Sequence, residues 1–114
     1  MNSFKILSFI AMLLFAVSFG EQKDFNSAEW KNWVETEATL NTRWLMHKDL
    51  LKRYELKGIS RDSILDLLGE PDARHSDGFY YNLGYPERGS GIDPGTMTIT
   101  FEDDSVVDIE VTDG

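Results

Sequence analysis

Apolar and polar positions change rhythm three times along this chain. Ile6 to Val17 is an unbroken, mostly apolar stretch of twelve residues. Between residues 42 and 68 apolar side chains return every three or four positions, and from residue 79 onward they alternate. The first stretch follows Lys5 and ends in Ser18-Phe19-Gly20, after which Glu21 opens a charged segment. A positive start, a short apolar core and a small-x-small exit are the parts of a secretory signal peptide. Residues 1–20 are therefore expected to be removed, with cleavage after Gly20 or, using Ala16 as the other small residue, after Ser18. A membrane-spanning helix needs about 20 apolar residues, which is more than this run supplies.

The remainder reads as helices first and strands second. Asn26 or Ser27 caps a short helix, with Glu29 placed as in a capping box. Trp30, Trp33 and Val34 would share one of its faces. Thr36, Thr39, Asn41 and Thr42 lower helical propensity, so a break is expected near 38–42. A second helix starts from Thr42 as N-cap. Met46, Leu50 and Tyr54 align on it, flanked by Trp44, His47 and Leu51, and Lys57-Gly58 ends it. A third runs over 60–68, with Ser60 as cap, Asp62 in the first turn and Ile59 and Ile64 as a hydrophobic staple. Gly69 and Pro71 stop it. Phe79, Tyr81 and Leu83, then Met97, Ile99 and Phe101, then Val107, Ile109 and Val111 mark the buried faces of three strands. Glu102 to Ser105 joins the last two as a tight hairpin, and a loop from Tyr85 to Gly95 joins the first two. The expected fold is α+β, an α-α-β-β-β chain in which two helices cover a three-stranded antiparallel meander, with an extra short N-terminal helix. Residues 21–41 are assigned to an N-terminal extension and 42–114 to the domain.

Composition narrows the function classes. The chain has 114 residues, 11 Lys and Arg, 20 Asp and Glu, three Trp and no Cys. That is one small domain, without a disulfide framework, thiolate nucleophile or lipidated cysteine. Removing residues 1–20 takes away one charge, Lys5, and leaves 10 basic against 20 acidic residues. Residues 21–57 hold seven of each sign, whereas 58–114 hold three basic and thirteen acidic. An acidic surface of this kind argues against nucleic acid and against anionic membranes as partners. It suits a basic partner, or simply solubility.

One run of residues resembles a known family. Gly58-Ile59-Ser60 enters a capped helix that ends in Leu67-Leu68-Gly69-Glu70-Pro71. Tyr80-Tyr81-Asn82-Leu83-Gly84 follows, then Thr96-Met97-Thr98-Ile99-Thr100-Phe101 and an Asp-rich hairpin before Val106-Val107. In order and spacing, over about residues 43–111, this resembles the SmpA/OmlA group, the BamE-like domains of the bacterial cell envelope. The resemblance implies two helices on a three-stranded sheet and a role in binding other proteins, without catalysis or cofactor. In the best-known members that role is assisting the machinery that assembles outer-membrane β-barrel proteins, and the same fold type occurs in secreted inhibitors. Those lipoproteins carry a lipidated Cys, and with no Cys here a lipid anchor is not carried over. The localisation expected is the periplasm or cell envelope.

No residue is assigned to catalysis, a cofactor or a metal. His47 falls on the apolar face of its helix, as a satisfied buried histidine does. His75, beside Asp72, Arg74 and Asp77, has the makings of a general base or metal ligand, and a polar turn has the same composition. A small metal-dependent hydrolase at His75 and Asp77 is accordingly one alternative, and a secreted enzyme inhibitor another. Glu102, Asp103 and Asp104 lack the spacing of a calcium loop, and Gly89-Ser90-Gly91 lacks the Lys and helix of a P-loop. Candidate partner-binding residues are aromatic: Tyr80, which alternates away from Phe79 and Tyr81, Tyr85 beside the long loop, and Trp30 and Trp33. The pattern allows either of two arrangements for the tryptophans, folded down onto the core or left open as anchors.

Overall fold

The computed structural model describes residues 22–86 and 93–113. The leader expected over 1–20 and the Gly89-Ser90-Gly91 loop lie outside the described residues. Among those that are described, no helix is long and apolar enough to cross a membrane.

Over the described residues the chain folds as α+β, with three α-helices and a four-stranded antiparallel sheet. Helix α1 is Ser27–Lys31, and Asn26 caps it by accepting from the Glu29 N–H. It is shorter than the spacing of Trp30, Trp33 and Val34 suggested, and a single 3-10 turn, Glu37–Thr39, follows it. Helix α2 is Thr42–Arg53, with Asn41 rather than Thr42 as N-cap. Its inner face is Arg43, Met46, His47 and Leu50. Tyr54 was expected to continue that face, but it is already extended; its ring meets Phe25 edge-on at 5.7 Å. Helix α3 is Arg61–Leu68. Ser60 caps it by accepting from the Ser63 N–H, and Ile64 and Leu68 point into the core.

The sheet runs β1 (Ala73–His75), β2 (Gly78–Gly84), β3 (Gly95–Glu102) and β4 (Ser105–Thr112), paired in chain order. It is a meander, as expected, with one strand more. β1 escaped the pattern because all three of its residues are exposed, so no alternation marks it. Its turn is Ser76-Asp77, and since neither these nor Gly78 has positive φ, the Asp-Gly dipeptide of a tight hairpin does not mark it.

The inner face follows the alternation in β2 and β3. Phe79, Tyr81, Leu83, Met97 and Ile99 are all fully buried, and Phe101 nearly so. In β4 the expectation fails. Phe101 pairs with Val106 and Thr100 pairs with Asp108, which leaves Val107 as the extra residue of a β-bulge. Val106 therefore takes the core position at 2% exposure, and Val107 is turned out to 40%. Ile109 and Val111 return to the inner face, half-buried. The β3–β4 turn places Asp103 and Asp104 at φ 49° and 67°, the left-handed pair that a two-residue hairpin demands.

Residues 22–41 belong to this core rather than extending from it. Phe25 is 5% exposed and Trp30 not at all. The Lys23 N–H donates to the Leu45 carbonyl at 2.9 Å, and the Phe25 N–H to Asp49 Oδ2 at 2.7 Å. Gly84 and Gly95 pair at the open end of the β2–β3 ladder, where Leu40 and Trp44 come down on them. A Cβ on Gly84 would lie 1.9 Å from the Leu40 carbonyl oxygen, and one on Gly95 2.6 Å from the Trp44 ring.

Candidate functional site

Because β2 and β3 bury Phe79, Tyr81, Met97 and Ile99 on one side, their intervening residues must face the other. The register sets these in rows across the strands. One row is Ala73, Tyr80, Thr98 and Glu110; the next is His75, Gly78, Thr100 and Asp108. Asn82, Thr96 and Thr112 make a third. None of these residues beyond Gly78 is fully buried, so this face is open to solvent where the inner face is closed. Tyr80 stands near its centre. Its ring lies 4.5 Å from that of His75, tilted by 42°, which fixes the phenol against the edge strand.

His75 is packed by the same stacking. No hydrogen bond joins it to Asp72 or Asp77, and Asp72 is committed elsewhere, to Arg43 and the Asn82 N–H. Among the described residues no group of three or more His, Cys, Asp or Glu side chains is placed to hold a metal ion. At the hairpin tip, Asp104 Oδ1 is paired with Arg61 Nε at 2.9 Å. His47 is 5% exposed, and its Nδ1–H donates to the Trp44 carbonyl; burial lowers its pKa below the usual histidine value, and Lys48 adds to the effect.

The tryptophans part company. Trp30 is sealed in the core, edge-on to Tyr81 and beside Phe25, so it is withdrawn from the candidate surface. Its indole N–H has no partner among the described residues. Trp33 is half-buried, with its N–H donated to the Thr39 carbonyl at 2.8 Å. One edge of it lines a groove of about 380 Å³ with Glu29, Asn32, Thr36 and Val34, the last 70% exposed. Tyr85 is half-buried and anchored through its backbone N–H to Leu40. It sits at the far end of β2 from His75, and among the described residues no ring contact joins Tyr80, Tyr85 and Trp33.

Arg43 is the residue that the sequence reading missed. Its guanidinium lies between the Trp30 and Trp33 rings, 5.1 and 5.0 Å from their centroids. It donates to the Trp30 carbonyl at 3.1 Å, to the Asn82 carbonyl at 3.1 Å and to Asp72 at 3.2 Å. Burial lowers its pKa, and Asp72 opposes that shift. The available signal was its position three residues before Met46 and seven before Leu50, on the buried stripe of the helix. Burial likewise pushes the Tyr81 hydroxyl well above the ordinary tyrosine range, and it donates to the Gly69 carbonyl at 2.8 Å.

These groups therefore divide into structural and presented sets. Arg43, Tyr81, His47 and Trp30 hold the core, and Tyr80 with His75 is offered on an open, threonine-rich sheet face. In comparisons with known proteins, the chain matches no family model and no curated sequence.

Proposed function

We propose that this chain is an exported cell-envelope protein that acts by binding another protein, with the outer face of its sheet as the contact surface. One observation carries the reading. Tyr80 is a large amphipathic side chain, held rigid by His75, on a sheet face that the described helices leave open. Rigid tyrosines lose little entropy on binding and are common anchors at interfaces. The order of capped helix, antiparallel strands and Asp-rich hairpin is compatible with a BamE-like domain, and the leader-like first twenty residues support export. A part in outer-membrane protein assembly belongs to the same proposal and rests on the resemblance alone.

The test is capture after mild cross-linking from the native host, comparing the protein with a Tyr80→Ala, Tyr85→Ala double variant. Enrichment of barrel-assembly or outer-membrane proteins, lost in the folded variant, supports both the role and the surface. Equal capture by the variant removes the surface. Recovery of one unrelated enzyme replaces the assembly role with that of an inhibitor.

A further inference from the structure

We propose that the free edge of β4, from Val107 to Thr112, is a strand-addition site for an extended, basic segment of a partner protein. The site lies two strands away from Tyr80; it shares Asp108 and Glu110 with the face described above but does not use Tyr80.

The direction of the backbone groups establishes the edge. The Phe101 N–H donates to the Asp77 carbonyl at 2.8 Å, on the β2 side, so Phe101 does not bond to β4. Alternation then aims Thr100, Thr98 and Thr96 at β4, where they pair with Asp108, Glu110 and Thr112. The N–H and C=O groups of Ile109 and Val111 consequently point away from the sheet.

Apart from the outer side of the three-residue β1, the rest of the sheet perimeter is closed by the chain itself. Next to the bulge, Val106 donates to the Ile59 carbonyl at 2.9 Å and accepts from the Gly58 N–H at 2.8 Å. The Arg61 N–H donates to the Asp104 carbonyl, and Ser60 bridges Ser105. Segment 58–61 thus closes β4 up to Val106. On the opposite edge β1 covers half of β2, and beyond it Asp72 and Arg43 take the N–H and C=O of Asn82. Natural sheets close or blunt their edges because open ones pair with other chains. Here one stretch of β4 stays open among the described residues, and it begins at the 40%-exposed Val107.

Charge selects the occupant. From Gly89 to Gly114 the chain has acidic residues and no Lys, Arg or His. Asp108 and Glu110 flank the open groups on the outer face, and neither has a cationic partner among the described residues. A second copy of β4 laid alongside would oppose carboxylate to carboxylate, which is unfavourable. A strand alternating lysine or arginine with apolar residues would set its cations beside Asp108 and Glu110, and its apolar side chains beside Ile109 and Val111.

The experiment is amide hydrogen exchange by NMR on the protein expressed from its full sequence. The probe is an N-acetylated, C-amidated nine-residue peptide of alternating lysine and valine. In the free protein the Ile109 and Val111 amides should exchange quickly. At saturating peptide they should slow at least tenfold. A peptide alternating lysine with proline, which has the charge but cannot form the ladder, should leave them unchanged. An Asp108→Lys, Glu110→Lys variant should lose the protection, whereas Tyr80→Ala should keep it. The proposal is overturned if the two amides do not respond, if they are already protected in the free protein, or if the proline peptide protects them equally. Protection that rises with protein concentration alone would assign the edge to a second copy and overturn the basic occupant.

Discussion

Replacing Arg43 by Met should cost about 3–5 kcal/mol, because it strips the side-chain donor from the Asn82 carbonyl and the shorter of two bonds from the Trp30 carbonyl. The methionine keeps an apolar stem between Trp30 and Trp33, so the loss is that of the guanidinium itself. The Asn82 carbonyl loses its donor from Arg43, and the Trp30 carbonyl keeps only the long 3.4 Å bond from the Trp33 N–H. Each buried acceptor left unsatisfied costs about 1–3 kcal/mol. The two cation–ring contacts add about 1 kcal/mol together at a partly desolvated site. The pairing with Asp72 adds little, since that carboxylate is 52% exposed. A domain of this size has roughly 5–10 kcal/mol to lose, so the urea midpoint should fall by a third or more at unchanged slope. Equilibrium unfolding followed by tryptophan fluorescence reads this directly. Asp72→Asn, which keeps an acceptor for the Asn82 N–H, should cost no more than about 1 kcal/mol. A loss below about 1 kcal/mol for Arg43→Met would refute the reasoning: the carbonyls would then have water, and the indoles alone would hold residues 22–41 in place.

Two further outcomes follow from the same structure. Gly84 has φ 80°, and a Cβ there would meet the Leu40 carbonyl oxygen; Gly84→Ala should therefore cost about 2–3 kcal/mol or more, whereas Gly58→Ala, with φ 91° and nothing within 4 Å, should cost about 1 kcal/mol, both read as thermal-melt shifts. His47 has its pKa lowered in the fold, so the unfolded chain binds a proton below the ordinary value of 6.5 that the folded chain refuses; stability from this group is complete above that pH and is lost as pH falls, so the difference between the protein and His47→Phe in urea midpoint should shrink from pH 7.5 to 5.5, and a constant difference would contradict it.

The helices and two central strands were legible because their periods are clean and their caps are explicit. Ser60 and Asn26 cap as expected, and Phe79, Tyr81, Met97 and Ile99 bury as their alternation requires. What the sequence hid was of two kinds. Val106 and Val107 are adjacent and equally apolar, so only the pairing with Phe101 and Thr100 reveals which of them is the bulge. β1 is polar on both faces and owes its extended form to pairing with β2, a tertiary effect that overrides local preference. The candidate surface divided in the same way. Alternation alone turned Tyr80 outward. It could not place Trp30, because α1 is five residues long and a single buried position sets no period.

The fate of Trp30 explains why this small domain holds together without a disulfide. Fully burying a large apolar side chain contributes about 1.5–3 kcal/mol, and Phe25 and Trp30 together bring that gain twice from outside the helix–sheet unit. The gain requires residues 22–41 to lie across α2 and the end of β2. Their backbone must then be satisfied there, and Arg43 donates to carbonyls of both α1 and β2, those of Trp30 and Asn82. The same guanidinium closes the β2 edge next to Asp72. One buried cation thus attaches the N-terminal segment and blunts one side of the sheet. Among the described residues no cation plays that part at β4, and no basic residue follows Arg88 in the sequence. The β2 edge is therefore closed where a buried cation reaches it, the long β4 edge is open where the strand carries only negative charge, and a partner that completes β4 is expected to supply cations.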